Sequence, residues 1–127
     1  MTGQPRMTMS GIVLGAPDAR ALADFYHRLL GWRVKWDDPD WVMLEAPGGG
    51  PGLSFQTETD HVRPVWPAGP GDQQMMIHLD IEVDDLDIAG AHALAAGSVL
   101  AEYQPQEGVR VHLDPAGHPF CLFLPGH

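Results

Sequence analysis

The sequence predicts an α+β fold of two βαβββ modules, each a concave sheet backed by one helix, and three observations predict it. The stretch "QMMIHLDIEVDD" alternates with period two, Ile77, Leu79, Ile81 and Val83 on one face and Met76, His78, Asp80 and Glu82 on the other. The stretch from Asp18 to Gly31 places Leu22, Phe25, Tyr26, Leu29 and Leu30 on one helical stripe, between an N-cap residue and a helix-stopping glycine. The same order then repeats: Asp18 to Asp84 and Gly31 to Gly97 are both steps of 66 residues, Ser54 to Cys121 is 67 and Glu45 to Asp114 is 69.

Residues 1–8 lack periodicity and mix Gly, Pro and polar residues, so a disordered lead-in is expected there. The first module, 9–58, opens with a strand, continues through the Asp18 helix, and ends in three strands, "WRVKWDD", "WVMLEAP" and "PGLSFQTE", separated by "DPD" and "GGG" turns. A linker or lid follows at 59–73, within "TETDHVRPVWPAGPGDQ", whose three prolines and two glycines fit no regular element and which carries Trp66. The second module, 74–125, repeats the order: strand "MIHLDIEV", Asp84 as N-cap, an Ala-rich helix to Gly97, then "SVLAEYQ", "VRVHLD" and "PFCLFL".

With 127 residues and 44% hydrophobic content, the chain suits one domain that buries about two thirds of its unfolded surface. Seven Lys plus Arg against seventeen Asp plus Glu give a net charge of −10, which disfavours nucleic acid and anionic membranes as partners. The lone Cys121 excludes an internal disulfide, and no basic segment leads into a long apolar run, so a reducing cytoplasm is the expected location. "GLSFQ" lacks the flanking glycines of a nucleophile turn, and "GGGPG" is followed by neither Lys nor a helix, which excludes a phosphate loop.

The segments "PDARALADFYHRLLGW", "HLDIEVDDLDIAGAHALAAG" and "VHLDPAGHPFCLF" resemble the signatures of the vicinal oxygen chelate superfamily, which includes glyoxalases, extradiol dioxygenases and bleomycin-resistance-type binding proteins. The resemblance covers about residues 9 to 125 and is especially close to small glyoxalase-like proteins common in actinobacteria. It implies a homodimer with pockets at or near the subunit interface. In metal-dependent members a His or Glu projects from the first and last strands of each module. Carried over one at a time, those positions fall on Gly11, on Ser54 (Gln56 if the hairpin slips by two), on His78 and on Cys121. Of these, His78 alone matches. With a Cys121 thiolate it makes two donors, short of the three that a catalytic divalent ion usually takes from protein. A two-His, one-carboxylate group would need His112 beside His78 and Asp80 or Glu82, yet His112 lies on another strand.

Strand parity collects a concave lining of Trp41, Met43, Glu45, Ser54, Gln56, Met76, His78, Asp80, Arg110, His112, Cys121 and Phe123. Aromatic rings, thioethers and sparse polar anchors suit a flat or extended organic molecule. Trp32 shares a face with Val34 and reads as core, Trp36 fits either set, and Trp66 reads as a lid or dimer contact. The expectation is a metal-free small-molecule-binding protein similar to the antibiotic-sequestering members. Its ligand residues would be Trp41, Met43, Gln56, Trp66, Met76, His78, Asp80, His112 and Cys121, with Tyr103 as a further stacking partner. The alternative is a lyase, isomerase or dioxygenase that uses Zn, Ni, Mn or Fe, and a third reading makes His78 or His112 the general base of a metal-free enzyme.

Overall fold

The computed structural model describes residues 3–126. Residues 1 and 2 of the expected lead-in lie outside the described residues, and residues 3–10 hold no helix or strand. The first module runs β1 (Gly11–Ala16), α1 (Ala19–Leu30), β2 (Arg33–Asp38), β3 (Trp41–Glu45) and β4 (Gly52–Thr57). The second runs β5 (Leu79–Glu82), α2 (Leu86–Ala96), β6 (Val99–Leu100), β7 (Val109–Leu113) and β8 (Pro119–Phe123). Each module is one four-stranded sheet, in the orders β1-β4-β3-β2 and β5-β8-β7-β6, with the first strand parallel to the last. The architecture is therefore the two βαβββ modules that the internal repeat predicts.

Period-two burial sets the faces of the first sheet: Leu14, Ala16, Val42, Leu44, Leu53 and Phe55 turn toward α1 and are buried. α1 answers with Leu22, Ala23, Phe25 and Tyr26. Its ends are the expected ones, since the Asp18 carboxylate accepts from Ala21 N and Gly31 closes the helix at φ 71°. Aromatic rings join the two modules into one core. Tyr26 stacks on Phe55 at 5.5 Å between centroids, and Phe25 meets Phe120 of β8 at 5.8 Å. α2 buries only Ala93 and Ala96, and such small side chains let it approach α1 closely. The Arg28 guanidinium donates to Ala96 O (2.8 and 3.1 Å) and His92 Nε2 bonds Leu29 O (2.9 Å), tying the helix ends together.

Three details differ from the sequence reading. β5 begins at Leu79, so Met76 and His78 precede the strand that "MIHLDIEV" predicts. The cap of α2 is Asp85, whose carboxylate accepts from Ile88 N at 2.9 Å. Asp84 is not the cap, so the repeat step there is 67; α2, at 11 residues against 12 in α1, restores 66 by Gly97. Asp85→Ala is accordingly expected to cost about 1 kcal/mol, and Asp84→Ala less than about 0.5 kcal/mol, in matched urea melts.

The third difference is β6, which has two residues where "SVLAEYQ" predicts a full strand. Beyond Ala101 the Gln104 side chain replaces the backbone ladder. Its amide donates to Ala101 O and Val111 O, and its oxygen accepts from Val111 N at 2.8 Å. The Pro-rich linker contains no helix or strand, as composition predicts, yet it is anchored: His61 Nε2 bonds Ala116 O and Arg63 donates to Pro115 O, both 2.9 Å.

Candidate functional site

The two sheets present separate clefts. One, of about 280 Å³, lies on the first sheet and is lined by Lys35, Trp41, Met43, Glu45 and Ser54 among others. The other, of about 440 Å³, lies on the second sheet, with Val109, Val111, Pro119 and Cys121 as floor and Trp66, Met75, His78 and Pro105 around it. The two share no lining residue. The expected ligand residues therefore divide: Trp41 and Met43 fall in the first cleft, and Trp66, His78 and Cys121 in the second. Gln56 sits exposed at the end of β4, its amide donating to Glu58. Met76 is 81% exposed and lines neither cleft, lying instead beside His61 and His118. Trp32 packs on the core as expected, and Trp36 is exposed with its indole N–H on Asp38.

His112 is the clearest correction. It is 1% exposed, on the helix-facing side of β7, stacked on Phe120 at 5.5 Å, and Arg110 shares that side. The reason is a one-residue slip in the repeat. In β3 and β4 Met43 pairs with Ser54, and in β7 and β8 Val111 pairs with Cys121, so Met43 corresponds to Val111, a step of 68 and not 69. A one-residue slip reverses every side chain of a strand, so Val109 and Val111 take the places assigned to Arg110 and His112. The signal was present in "DPAGH". Asp114 N bonds His118 O across a turn centred on Ala116, which places residue 111 opposite residue 121.

Burial lowers the pKa of His112. Its Nδ1 pairs with Ser98 Oγ at 2.9 Å, while Nε2 is enclosed without a partner. The unfolded chain takes up this proton as pH falls through about 6.5, whereas the folded chain holds the ring neutral to lower pH. Stability is thus full above about pH 6.5 and is lost as pH falls from there toward the folded pKa. His112→Phe, which keeps the stacking, is expected to flatten that loss. Urea unfolding free energies at pH 7.5 and pH 5 for both proteins check this, and an unchanged pH slope in the variant would refute it.

On the second sheet three donors converge. Asp80 sits opposite Cys121 in the parallel β5–β8 register, and His78 precedes it by two residues. His78 Nε2 lies 3.1 Å from Asp80 Oδ1, and the donor atoms of His78, Asp80 and Cys121 all lie within 4.8 Å of one another. The thiol pKa is raised, first by burial and then by the neighbouring Asp80 carboxylate. The donor count of two read from the sequence becomes three, because strand pairing brings Asp80 against Cys121. Trp66 closes the rim 6.2 Å from Tyr103, and its indole N–H is enclosed without a hydrogen-bond partner. Pro105, Met75, Val109 and Val111 are walls that the parity argument missed.

The model of a family described as glyoxalase-like domain matches residues 11–123. No curated protein sequence matches. Among solved structures, a glyoxalase/bleomycin resistance protein/dioxygenase family enzyme from Burkholderia phytofirmans PsJN is 19% identical, with a TM-score of 0.69 over 93% of this chain and 98% of its own. A lactoylglutathione lyase from Agrobacterium tumefaciens is 17% identical, with a TM-score of 0.62 over 96% of each chain. A glyoxalase/bleomycin resistance protein/dioxygenase from Nocardioides is 22% identical, with a TM-score of 0.58 over 98% of this chain and 89% of its own.

Proposed function

The chain belongs to the glyoxalase-like domain family of the vicinal oxygen chelate superfamily, and on that premise we propose that it captures an aromatic or extended small molecule in the second-sheet cleft. The observation that supports this reading best is the cleft itself: about 440 Å³, floored by Val109, Val111 and Pro119 and rimmed by Trp66. Apolar walls supply affinity, and a few polar groups orient the guest. Here those groups are His78 and Gln106. Capture of this kind needs no reaction, as in sequestration of an antibiotic.

The functional unit we propose is a homodimer in which the first-sheet cleft of one protomer faces the second-sheet cleft of its partner. The support is that each cleft is open and that the chain offers Trp41 and Trp66 on different ones. The lone free Cys121 suits a reducing cytoplasm, and among the described residues no helix is long and apolar enough to cross a membrane. The test is a panel of flat aromatic natural products titrated into the protein with tryptophan fluorescence as the readout. Saturable quenching by at least one class is expected, and its absence across the panel would overturn capture.

A second reading, a divalent-metal lyase or dioxygenase, is favoured by the convergence of His78, Asp80 and Cys121. A bound ion would supply Lewis-acid polarisation of a substrate oxygen. The chain's own part would be to hold that oxygen near the apolar floor and shield it from water with Trp66. Turnover abolished by chelation separates this reading from capture.

A further inference from the structure

The four positions implied by the superfamily do not make a cage in this chain, since Gly11 has no side chain and Ser54 is a poor ligand, buried on the first-sheet cleft. We propose instead that His78, Asp80 and Cys121 form a metal site within the second module alone, with Asp80 standing in for the missing first-module ligands. The inference deepens the second reading, whose ligands it names, and metal uptake without turnover would leave the site standing while that reading fails.

Three observations carry it. An imidazole, a carboxylate and a thiol already gather with all donor atoms within 4.8 Å, and the His78–Asp80 pair at 3.1 Å. A tetrahedral ion with bonds of about 2.0–2.3 Å requires donors roughly 3.3–3.8 Å apart, so the group needs only small side-chain adjustments. Those adjustments are available, because the His78 and Asp80 side chains are 38% and 60% exposed. The backbone below them is fixed, as Asp80 and Cys121 are register partners on adjacent strands.

The donor set also narrows the choice of ion. One sulfur, one nitrogen and one oxygen select Zn²⁺, Co²⁺ or Ni²⁺ over Mg²⁺ and Mn²⁺, which prefer all-oxygen shells. Three protein ligands leave one position open, as in catalytic and not structural zinc sites. His78 and Cys121 both line the cleft, so that position faces its interior. The chain's net charge of −10 raises the local concentration of cations.

The test uses the full-length protein, stripped with chelator and titrated with Co²⁺ alone. One ion per chain is expected, with a sulfur-to-cobalt charge-transfer band in the near ultraviolet, displaced by Zn²⁺ and not by equal Mg²⁺. Cys121→Ser is expected to remove the band. Asp80→Asn and His78→Ala are expected to weaken binding at least about tenfold, the loss that even an outer partner of a ligand produces. Both substitutions fall on solvent-reachable side chains, and unchanged circular dichroism melts confirm the fold. Asp80→Glu, which restores a carboxylate, is expected to recover part of the affinity. No saturable uptake, uptake without the sulfur band, or wild-type affinity in Asp80→Asn would each overturn the site.

Discussion

Asp114→Ala is expected to destabilise the protein by about 3–5 kcal/mol, the cost of leaving a buried charged network without its centre, and to lower the thermal midpoint by roughly 10–20 °C. Asp114 is 1% exposed. Its carboxylate accepts from Tyr26 Oη at 2.7 Å, from Ala116 N and His118 N at 2.9 Å, and from His118 Nδ1 at 2.9 Å. Alanine would strand a buried phenol and the amides of the β7–β8 turn at once. Tyr26→Phe removes a single donor and should cost only about 0.5–1.5 kcal/mol. The double variant should be less harmful than the sum, because both changes act on one network. Burial, and then the Asp114 charge, hold the Tyr26 phenol well above its ordinary pKa, so it remains a protonated donor to Asp114. Urea and thermal unfolding measure all three proteins, and an Asp114→Ala loss below about 1 kcal/mol would contradict this account.

The consequence reaches the cleft. The turn that Asp114 organises sets Val111 opposite Cys121, and its Pro115 and Ala116 carbonyls anchor the linker through Arg63 and His61. Floor and rim thus share one support, 88 residues in sequence from its partner Tyr26. Residual ligand binding in Asp114→Ala should therefore fall even at temperatures where the fold persists.

How much of this was legible in the sequence follows from what each feature depends on. α1 was readable because its cap, its stripe and its stop are local: Asp18, the Leu22, Phe25 and Tyr26 run, and Gly31 all act within one helix. The second helix was readable to within one residue, since two adjacent aspartates, Asp84 and Asp85, offer the same cap chemistry and only the Ile88 N–H chooses between them. β7 was misread although it alternates cleanly, because its apolar Val109 and Val111 floor the cleft while Arg110 and His112 turn to the helix side, and only the pairing of Val111 with Cys121 fixes that choice. β6 was misread because Gln104 imitates a strand with its side chain. The meeting of Asp80 with Cys121 is a matter of pairing between strands 41 residues apart, which spacing along one strand does not encode. The signature segments identified the fold, while the site's composition waited on register.

Trp66→Ala is expected to weaken capture of an aromatic ligand by roughly 30- to 1,000-fold, the range spanned by a buried aromatic anchor worth about 2–4 kcal/mol. The ring caps an apolar floor from a segment with no helix or strand, so its removal opens the cleft while leaving the core of Phe25, Tyr26, Phe55 and Phe120 intact. Trp66→Phe separates the two contributions of the indole. It keeps a ring over the floor and deletes only the enclosed N–H, so most of the affinity should survive, with a loss below about 10-fold. Trp41→Ala then reads the assembly. In a homodimer whose pocket joins the two sheets, it weakens binding as well; in a pocket confined to the second sheet, it changes nothing. Titration calorimetry suits these variants because it does not depend on the tryptophans being removed. An affinity unchanged by Trp66→Ala would exclude the second-sheet cleft as the binding site, and with it the reading that capture is what this fold performs there.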